Sequence, residues 1–173
     1  MDILRVIGID PGLRITGWGI IDLKGSHLTH IAHGIVCSKE TSSLGDRLNQ
    51  IYEQLSRIID TYKPQEAAIE EVFVNKNPES TLKLGMARGV CMLAPSHQGL
   101  SVSEYSANKV KKAVVGVGHA DKNQMKAMIN ILLPGCLAEK DAADALGVAI
   151  CHSHLRNMRE LSAHHDRKVN WKP

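Results

Sequence analysis

The sequence is poor in aromatic residues and in long apolar runs. The first shortage bears on the core, and the second excludes membrane-spanning helices. Aromatics make up 3% of its 173 residues and Phe73 is the single phenylalanine, so we expect an aliphatic core. No apolar stretch approaches the roughly 18 residues of a membrane span, and the N-terminus lacks the layout of a signal peptide. The chain is therefore predicted to be soluble and cytoplasmic.

The sequence also lacks paired cysteines, since none of its four thiols forms a Cys-x-x-Cys motif: Cys37, Cys91, Cys136 and Cys151. This spacing favours buried thiols in a reducing compartment over disulfides or a zinc site. With 43% hydrophobic residues, the chain fits one compact domain. We predict a domain over residues 1–156 and a polar, flexible tail over residues 157–173, where apolar periodicity ends.

Positive charge is concentrated in the middle of the chain, although the net formal charge is only +3. Between Val74 and Met128, eight Lys and Arg residues stand against three acids, which leaves the remainder negative. This distribution fits a protein that grips phosphates with one region and holds cations with another, but solvated lysine-rich helices look similar. The candidate phosphate-binding cations are Lys76, Lys83, Arg88, Lys109, Lys111, Lys112 and Lys122.

Apolar patterning predicts strands interleaved with helices. Residues 3–9, 16–23 and 28–37 are predicted to form a three-stranded meander, followed by a helix that Ser43 caps and Lys63-Pro64 stops. Further strands are predicted over residues 67–72 and 100–105, and Ser106 is placed to cap a short basic helix. A middle helix carries Leu82, Met86, Val90 and Leu93 on one stripe, and the last helix runs from about residue 141 to about residue 155.

Four carboxylates are expected at the ends of these elements. Asp10 ends the first strand before Pro11-Gly12, and Glu70 follows the apolar residues of the fourth strand. Asp141 and Asp144 stand at i and i+3 on one face of the last helix. That helix can approach a sheet closely because the following residues are small: Ala142, Ala143, Ala145, Gly147 and Ala149.

Four converging carboxylates cost free energy unless a cation neutralises them. All-oxygen ligation selects magnesium or manganese, and two such ions about 4 Å apart can activate water and stabilise a leaving oxygen. Singly, Asp10 fits a turn residue, and Asp141 with Asp144 fits a solvated helix start. The charge of Glu70 in an apolar strand is harder to explain without a site.

Three motifs resemble those of the bacterial Holliday-junction resolvase family RuvC, in the same order and spacing: GIDPG at residues 8–12, AIEEVF at 68–73 and DAADAL at 141–146. Shorter matches are LKLG at 82–85, ARGV at 87–90, VK at 110–111 and VVGVG at 114–118. The likeness covers about residues 3–155 and is far more specific than a single motif.

The resemblance implies an α/β, ribonuclease-H-like fold with a five-stranded mixed sheet flanked by helices on both faces. It implies a crossover junction endodeoxyribonuclease, active in DNA recombination and repair as a homodimer on four-way junction DNA. Paired Mg²⁺ ions, replaceable by Mn²⁺, would direct water at one phosphate per subunit and leave 5′-phosphate and 3′-hydroxyl ends. Partnership with the branch-migration motor of RuvA and RuvB is also implied.

The resemblance assigns roles to particular residues. The four acids become the catalytic metal ligands: Asp10, Glu70, Asp141 and Asp144. Lys111 and Lys122 match catalytic lysines near the scissile phosphate, although an exposed helix face explains them too. Phe73 matches an aromatic that stacks on an unpaired base, whereas core packing is the commoner fate of a phenylalanine. Gly85 and Gly89 fit either a dimer contact or packing within one subunit.

Two competing functions remain open. The GIDPG motif is also similar to the phosphate-binding hairpin of actin-like ATPases and sugar kinases, but those proteins need two such domains around a nucleotide. A non-catalytic junction-binding module would fit the basic middle of the chain and would leave the four acids unexplained.

Overall fold

The computed structural model describes residues 2–72, 77–138 and 140–169, with side chains described as far as Arg156. Five strands form one mixed sheet in the order β3-β2-β1-β4-β5: β1 (Leu4–Asp10), β2 (Ile15–Lys24), β3 (His27–Cys37), β4 (Glu66–Glu70) and β5 (Ser101–Tyr105). The helices are α1 (Leu44–Tyr62), α2 (Pro78–His97), α3 (Ala107–Val115), α4 (Lys122–Leu132) and α5 (Lys140–Val169). The predicted five-stranded mixed sheet is confirmed.

The sheet combines an antiparallel half with a parallel half. β1, β2 and β3 pair antiparallel as the predicted meander, and β4 and β5 extend β1 in parallel. The turn between β2 and β3 uses Gly25 at φ 63°, a left-handed conformation that glycine adopts without steric cost. Parallel strands need crossover connections, and α1 and α2 supply them.

Successive residues of the central strands face opposite layers of helices. Val6 of β1 and Ala68 of β4 join a core formed with α3, α4 and α5. Ile7 and Ile69 join a separate core formed with α1 and α2. Helices therefore cover both faces of the sheet, as predicted, and the apolar runs reflect burial on two sides.

The helix ends follow local rules with two departures from expectation. The Ser43 side chain accepts a hydrogen bond from the Asp46 amide and starts α1, as predicted. Ser106 occupies the N-cap position of α3 without a side-chain hydrogen bond. Helix α5 continues to Val169, beyond the predicted end near residue 155, because no glycine or proline interrupts residues 148–169. The division into a domain and a flexible tail stays a prediction.

Three of the four cysteines are buried, but Cys37 at the end of β3 is exposed, so the expectation of buried thiols was wrong there. Among the described residues, no helix is both long and apolar enough to cross a membrane.

Helix α5 lies directly on β1 and β2 because these strands present glycines to it. A β-carbon added at Gly8 would stand 2.1 Å from the Ala145 carbonyl oxygen, and one at Gly17 would stand 1.9 Å from that of Asp141. Both distances are far inside van der Waals contact, and the obstructing atoms belong to the backbone. The small residues predicted on α5 therefore meet an equally small surface on the sheet.

Gly17→Ala should destabilise the protein by about 1 to 3 kcal/mol, because the new methyl group must push the start of α5 away from the sheet. Gly45→Ala is the matched control, since its β-carbon would lie 4.0 Å from the nearest atom, Ser43 Oγ. Denaturant unfolding measures both variants. Wild-type stability in Gly17→Ala would show that α5 does not approach this closely.

Candidate active site

Asp10 and Glu70 lie side by side at the ends of two neighbouring parallel strands. β1 pairs with β4 in a register that sets Ile9 opposite Ile69, so the next residue on each strand is an acid. In each strand the residue two positions before the acid packs toward α5. Because side chains alternate along a strand, both carboxylates face α5 as well.

The first two turns of α5 bring the other two acids to the same place. Asp141 and Asp144 are three residues apart, so they share one face of the helix. The carbonyl of Asp141 lies against Gly17, which is the register partner of Asp10. The contact between helix and strand thus fixes the position of these acids relative to β1.

The acids open into a cleft of about 210 Å³. Helices α3 and α4 form its opposite side with both apolar and basic side chains. Its lining comprises Asp10, Glu70, Ala107, Val110, Lys111, Lys122, Met125 and Asp144. Asp141 does not line the cleft, but its charge acts on Asp10.

Burial and mutual repulsion raise the pKa of Asp10, Glu70 and Asp144. Burial raises the pKa of Asp10 to about 8, and the charges of Glu70, Asp144 and Asp141 add to the shift against the opposing effect of Lys122. Burial also raises the pKa of Glu70 to about 7, with a further contribution from Asp144. The pKa of Asp144 is raised as well, chiefly by burial.

These shifts show that the cluster lacks sufficient positive charge when it holds only its own side chains. A divalent cation would supply that charge, and oxygen-only donors suit a hard ion such as Mg²⁺ or Mn²⁺. Asp10, Glu70 and Asp144 face the cleft and fit as direct ligands. Asp141 stands beside them on the same helix face.

Lys111 of α3 and Lys122 of α4, to which the family resemblance assigns a place near a reacting phosphate, both line the cleft. The charge of Lys122 reduces the rise in the pKa of Asp10 and of Asp144, and the charge of Lys111 reduces the rise in the pKa of Glu70. Two cations from two different helices therefore counterbalance the acids from the opposite side.

Two other predicted DNA-binding cations are paired with acids in the fold. Arg88 of α2 donates to Glu104 Oε1 from Nε at 2.9 Å and also through Nη2. Lys83 Nζ lies 2.5 Å from Glu79 Oε1 on the surface of α2. Each charge is thus partly neutralised before any partner arrives.

The remaining predicted cations differ in their surroundings. Lys109 Nζ stands 5.4 Å from the centroid of the Tyr105 ring, a cation–π arrangement, and Lys112 is exposed. Phe73 and Lys76 lie outside the described residues. Their predicted contacts with DNA stay predictions.

A polar network beneath the acids was not predicted from the sequence. Glu66 Oε2 lies 2.6 Å from Nε2 of the buried His152, whose Nδ1 lies 2.9 Å from the Tyr105 hydroxyl. Arg156 Nε donates to Glu66 Oε1 at 3.1 Å. Burial alone would raise the pKa of Glu66, but hydrogen bonds and charge from His152 and Arg156 hold it below its usual range. The network ties β4, which carries Glu70, to α5.

The period-2 pattern of β4 contains a signal for this network, because Glu66 stands four residues before Glu70 and faces the same side. Nothing in the sequence identified His152 as its partner. Two of the C-terminal histidines have defined surroundings, since His152 is buried and His154 Nδ1 lies 3.0 Å from the Ala113 carbonyl oxygen. The side chains of His164 and His165 lie outside the described residues.

Comparisons with known proteins agree on one family. The family model described as Crossover junction endodeoxyribonuclease RuvC matches residues 6–152. Curated relatives with that name include one from Ruegeria pomeroyi, 51% identical over 92% of this chain and 96% of the relative. Another, from Rhizobium leguminosarum bv. trifolii, is 53% identical over 92% of this chain and 97% of the relative.

A solved structure agrees with these sequence matches. It is described as T. thermophilus RuvC in complex with Holliday junction substrate and superposes with a TM-score of 0.84 at 28% identity. The superposition covers 90% of this chain and 96% of that one.

Metal-free protein should lose stability as pH rises from about 5.5 to 8.5. A carboxyl whose pKa is raised in the folded state contributes most stability while protonated, and that contribution disappears as pH passes through the folded pKa. In EDTA, the melting temperature of wild type should fall by roughly 5 °C or more over this range. Asp10→Asn should fall less, because it removes the group whose pKa is about 8.

Asp60→Asn, on the exposed surface of α1, serves as the control and should follow wild type. Mg²⁺ added at pH 8.5 should restore wild type but not Asp10→Asn. An identical pH dependence in wild type and Asp10→Asn would contradict the repulsive cluster.

Proposed function

This chain belongs to the RuvC family of crossover junction endodeoxyribonucleases, and we propose that four carboxylates form its metal-binding catalytic centre: Asp10, Glu70, Asp141 and Asp144. The chain is a Holliday-junction resolvase and a metal-dependent DNA endonuclease. One observation carries the assignment of the site. Acids from two strands and one helix converge in a single cleft, where burial and neighbouring charges raise the pKa of Asp10 to about 8 and that of Glu70 to about 7.

The proposed ions are two Mg²⁺ per subunit, with Mn²⁺ as a substitute. When bound, they would supply a nucleophilic water and Lewis acidity for the hydrolysis of a phosphodiester bond. The carboxylates would hold the ions, and their attachment to β1, β4 and α5 would fix the spacing between the ligands. This rigidity supports in-line attack on one phosphate, with 5′-phosphate and 3′-hydroxyl ends as the proposed products.

Lys111 and Lys122 are proposed to act on the DNA strand in the cleft. Both lysines line the cleft opposite the acids. A phosphate in the cleft would therefore lie between these ammonium groups and the metal ions that the acids would hold. Their charges would offset the negative charge that develops on the phosphate oxygens during hydrolysis. Lys109 and Lys112 lie on the same short helix and are proposed to contact the neighbouring backbone.

We propose that α2 forms the contact between two subunits. The helix buries the small residues Ala87, Cys91 and Ala94. Val90 of the predicted stripe packs partly buried against the core, whereas the other three residues of the stripe are exposed. Leu82 is 62% exposed and Leu93 55%, with Met86 between them on the same stripe. The sequence predicted the stripe without showing which side of the helix is buried.

The two glycines of α2 support the same contact. Added β-carbons at Gly85 and Gly89 would meet nothing within 4 Å, so neither residue is needed for packing within the subunit. They lie on the exposed apolar stripe, where their lack of side chains would let a second helix approach closely. A two-fold dimer would present two clefts to a four-way junction of nearly the same symmetry.

Further assignments rest on family likeness. These are base stacking by Phe73, a contact of Lys76 with DNA, partnership with the RuvA and RuvB motor, and a cytoplasmic location. The two competing functions are set aside because the family is one of endonucleases: the phosphate-binding domain of a kinase-like enzyme and the non-catalytic junction-binding module.

Neutralising any one acid should abolish cleavage without weakening junction binding. Asp10→Asn, Glu70→Gln, Asp141→Asn and Asp144→Asn should each slow cleavage of a synthetic four-way junction in Mg²⁺ by roughly a hundredfold or more. Removing negative charge does not weaken a grip on phosphates, so affinity should stay equal or rise. Asp60→Asn on α1 should cleave normally.

Linear duplex DNA of the same sequence serves as the control substrate and tests whether cleavage is selective for the junction. Wild type should cleave it much more slowly than the junction. If two of the four variants remain active, the proposed metal centre is wrong, because ligands of one site are not independently dispensable.

Leu82→Lys should weaken the dimer by at least about tenfold, because the ammonium group would be buried in the proposed contact. Ile131→Lys is the control, since Ile131 is a 67% exposed residue of α4, away from the α2 stripe. Sedimentation velocity over a concentration series measures both variants. A dimer of wild-type strength in Leu82→Lys would place the interface elsewhere.

A further inference from the structure

A second group of metal-ligating side chains lies away from the acidic cleft. His30 and His33 of β3 stand beside Cys136, which follows the end of α4, and one ligand atom of each lies within 4.8 Å of the others. His30 Nε2 is 2.8 Å from His33 Nδ1, and Cys136 Sγ is 3.9 Å from the same Nδ1. Nothing in the proposed nuclease function uses these residues.

An irregularity in β3 turns both histidines toward the same face. Residues three apart in a regular strand point to opposite sides of the sheet. The register of β3 against β2 shifts between Ile20 and Ile21, so that Ile31 is an extra residue. Ile31 and Ala32 consequently pack toward α1 and α2. The flanking histidines can both turn to the other face.

Cys136 meets the histidines on the face that α4 and α5 cover. Its exposure is 2%, and it belongs to the core formed with those helices, which also includes Leu28 of β3. Both histidines are half-buried. The three side chains therefore come from two parts of the chain 103 residues apart, and the fold holds them together before any ligand binds.

We propose that His30, His33 and Cys136 bind a thiophilic divalent cation of the Zn²⁺ class, with water in the fourth position. Two imidazoles and a thiolate are ligands that zinc and cobalt accept and that Mg²⁺ does not favour. Tetrahedral zinc with bonds of about 2.0 to 2.3 Å separates its ligand atoms by roughly 3.3 to 3.7 Å. The separations of 2.8 and 3.9 Å lie on either side of that range, so small side-chain shifts accommodate the ion.

Binding of the metal ion releases one proton from the protein. The Cys136 thiol gives its proton to solvent as its sulfur binds the ion. The hydrogen bond between the two imidazoles is replaced by two nitrogen–metal bonds, and the ring proton of that bond moves to a nitrogen that faces away from the ion. The bound ion would tie the sheet-edge strand β3 to the segment that leads into α5.

Cobalt binding tests the site directly, because a cobalt–thiolate bond has a charge-transfer absorption that carboxylate ligation lacks. Reduced wild-type protein titrated with Co²⁺ should develop this absorption with one equivalent per subunit, and Zn²⁺ should abolish it. Cys136→Ser should lose the absorption, whereas Cys37→Ser should keep it, since Cys37 is an exposed thiol at the end of β3, the strand that carries the two histidines.

Asp10→Asn should also keep the absorption, which separates this site from the acidic cleft. His30→Gln and His33→Gln should each weaken cobalt binding by at least about tenfold, while His27→Gln at the exposed start of β3 should not. With free Zn²⁺ at a hundred times its dissociation constant, the melting temperature of wild type should rise by roughly 5 to 10 °C. Cys136→Ser should show no such rise when both proteins are measured with Mg²⁺ already saturating the acidic cleft.

Two results would overturn the proposal, and the first does not depend on a variant folding. One is the absence of thiolate absorption when folded, reduced wild type is titrated with Co²⁺. The other is an absorption that survives in Cys136→Ser, which would assign the bond to another thiol. Because cobalt absorption is read without DNA, its failure would leave the nuclease assignment untouched.

Discussion

The close approach of α5 to the sheet is the constraint on which the site depends. Gly8 and Gly17 leave no space for a β-carbon between the strands and the backbone of the helix. The contact sets the first turn of α5 against Gly17 of β2, which is the register partner of Asp10. Acids that are 131 and 134 positions farther along the chain therefore reach a carboxylate whose position the sheet has already fixed.

Bringing the carboxylates together costs electrostatic free energy, which the packing of the rest of the protein offsets. Burial and the neighbouring carboxylates raise the pKa of Asp10 to about 8, so the metal-free cluster exists at the expense of stability. Two chiefly aliphatic cores, one on each face of the sheet, supply stability that offsets this cost. The Glu66–His152 pair adds a polar link between β4 and α5. The sheet and helices thus hold the carboxylates in place before any cation binds, and cation binding would relieve their repulsion.

Much of this arrangement could be predicted from local sequence. Asp10 and Glu70 end apolar runs, and the small residues after Asp141 indicate a helix that packs closely, so the acids and the mixed sheet followed from periodicity with the family likeness. The strand glycines that receive the helix were not predicted, because glycine in a strand has several explanations. The link from Glu66 to His152 depends on which residues fold together across 86 positions.

The group formed by His30, His33 and Cys136 shows the same limit more sharply. Absence of a Cys-x-x-Cys motif argued against zinc, and two histidines three apart in a strand should face opposite ways. The second argument holds only for a regular strand. Register shifts arise from tertiary packing, so a one-residue irregularity in β3 removes the premise without leaving a mark in composition or spacing.

The irregularity in β3 also bears on how the protein avoids unwanted assembly. β3 and β5 are the outermost strands of the described sheet, and β3, with 11 residues, is the longer. A long straight edge would invite a strand from another molecule to pair with it, whereas a bulge bends the edge and breaks its hydrogen-bonding rhythm. Self-association by extending the sheet is thereby discouraged, which leaves helix surfaces as the favoured route for one copy to recognise another.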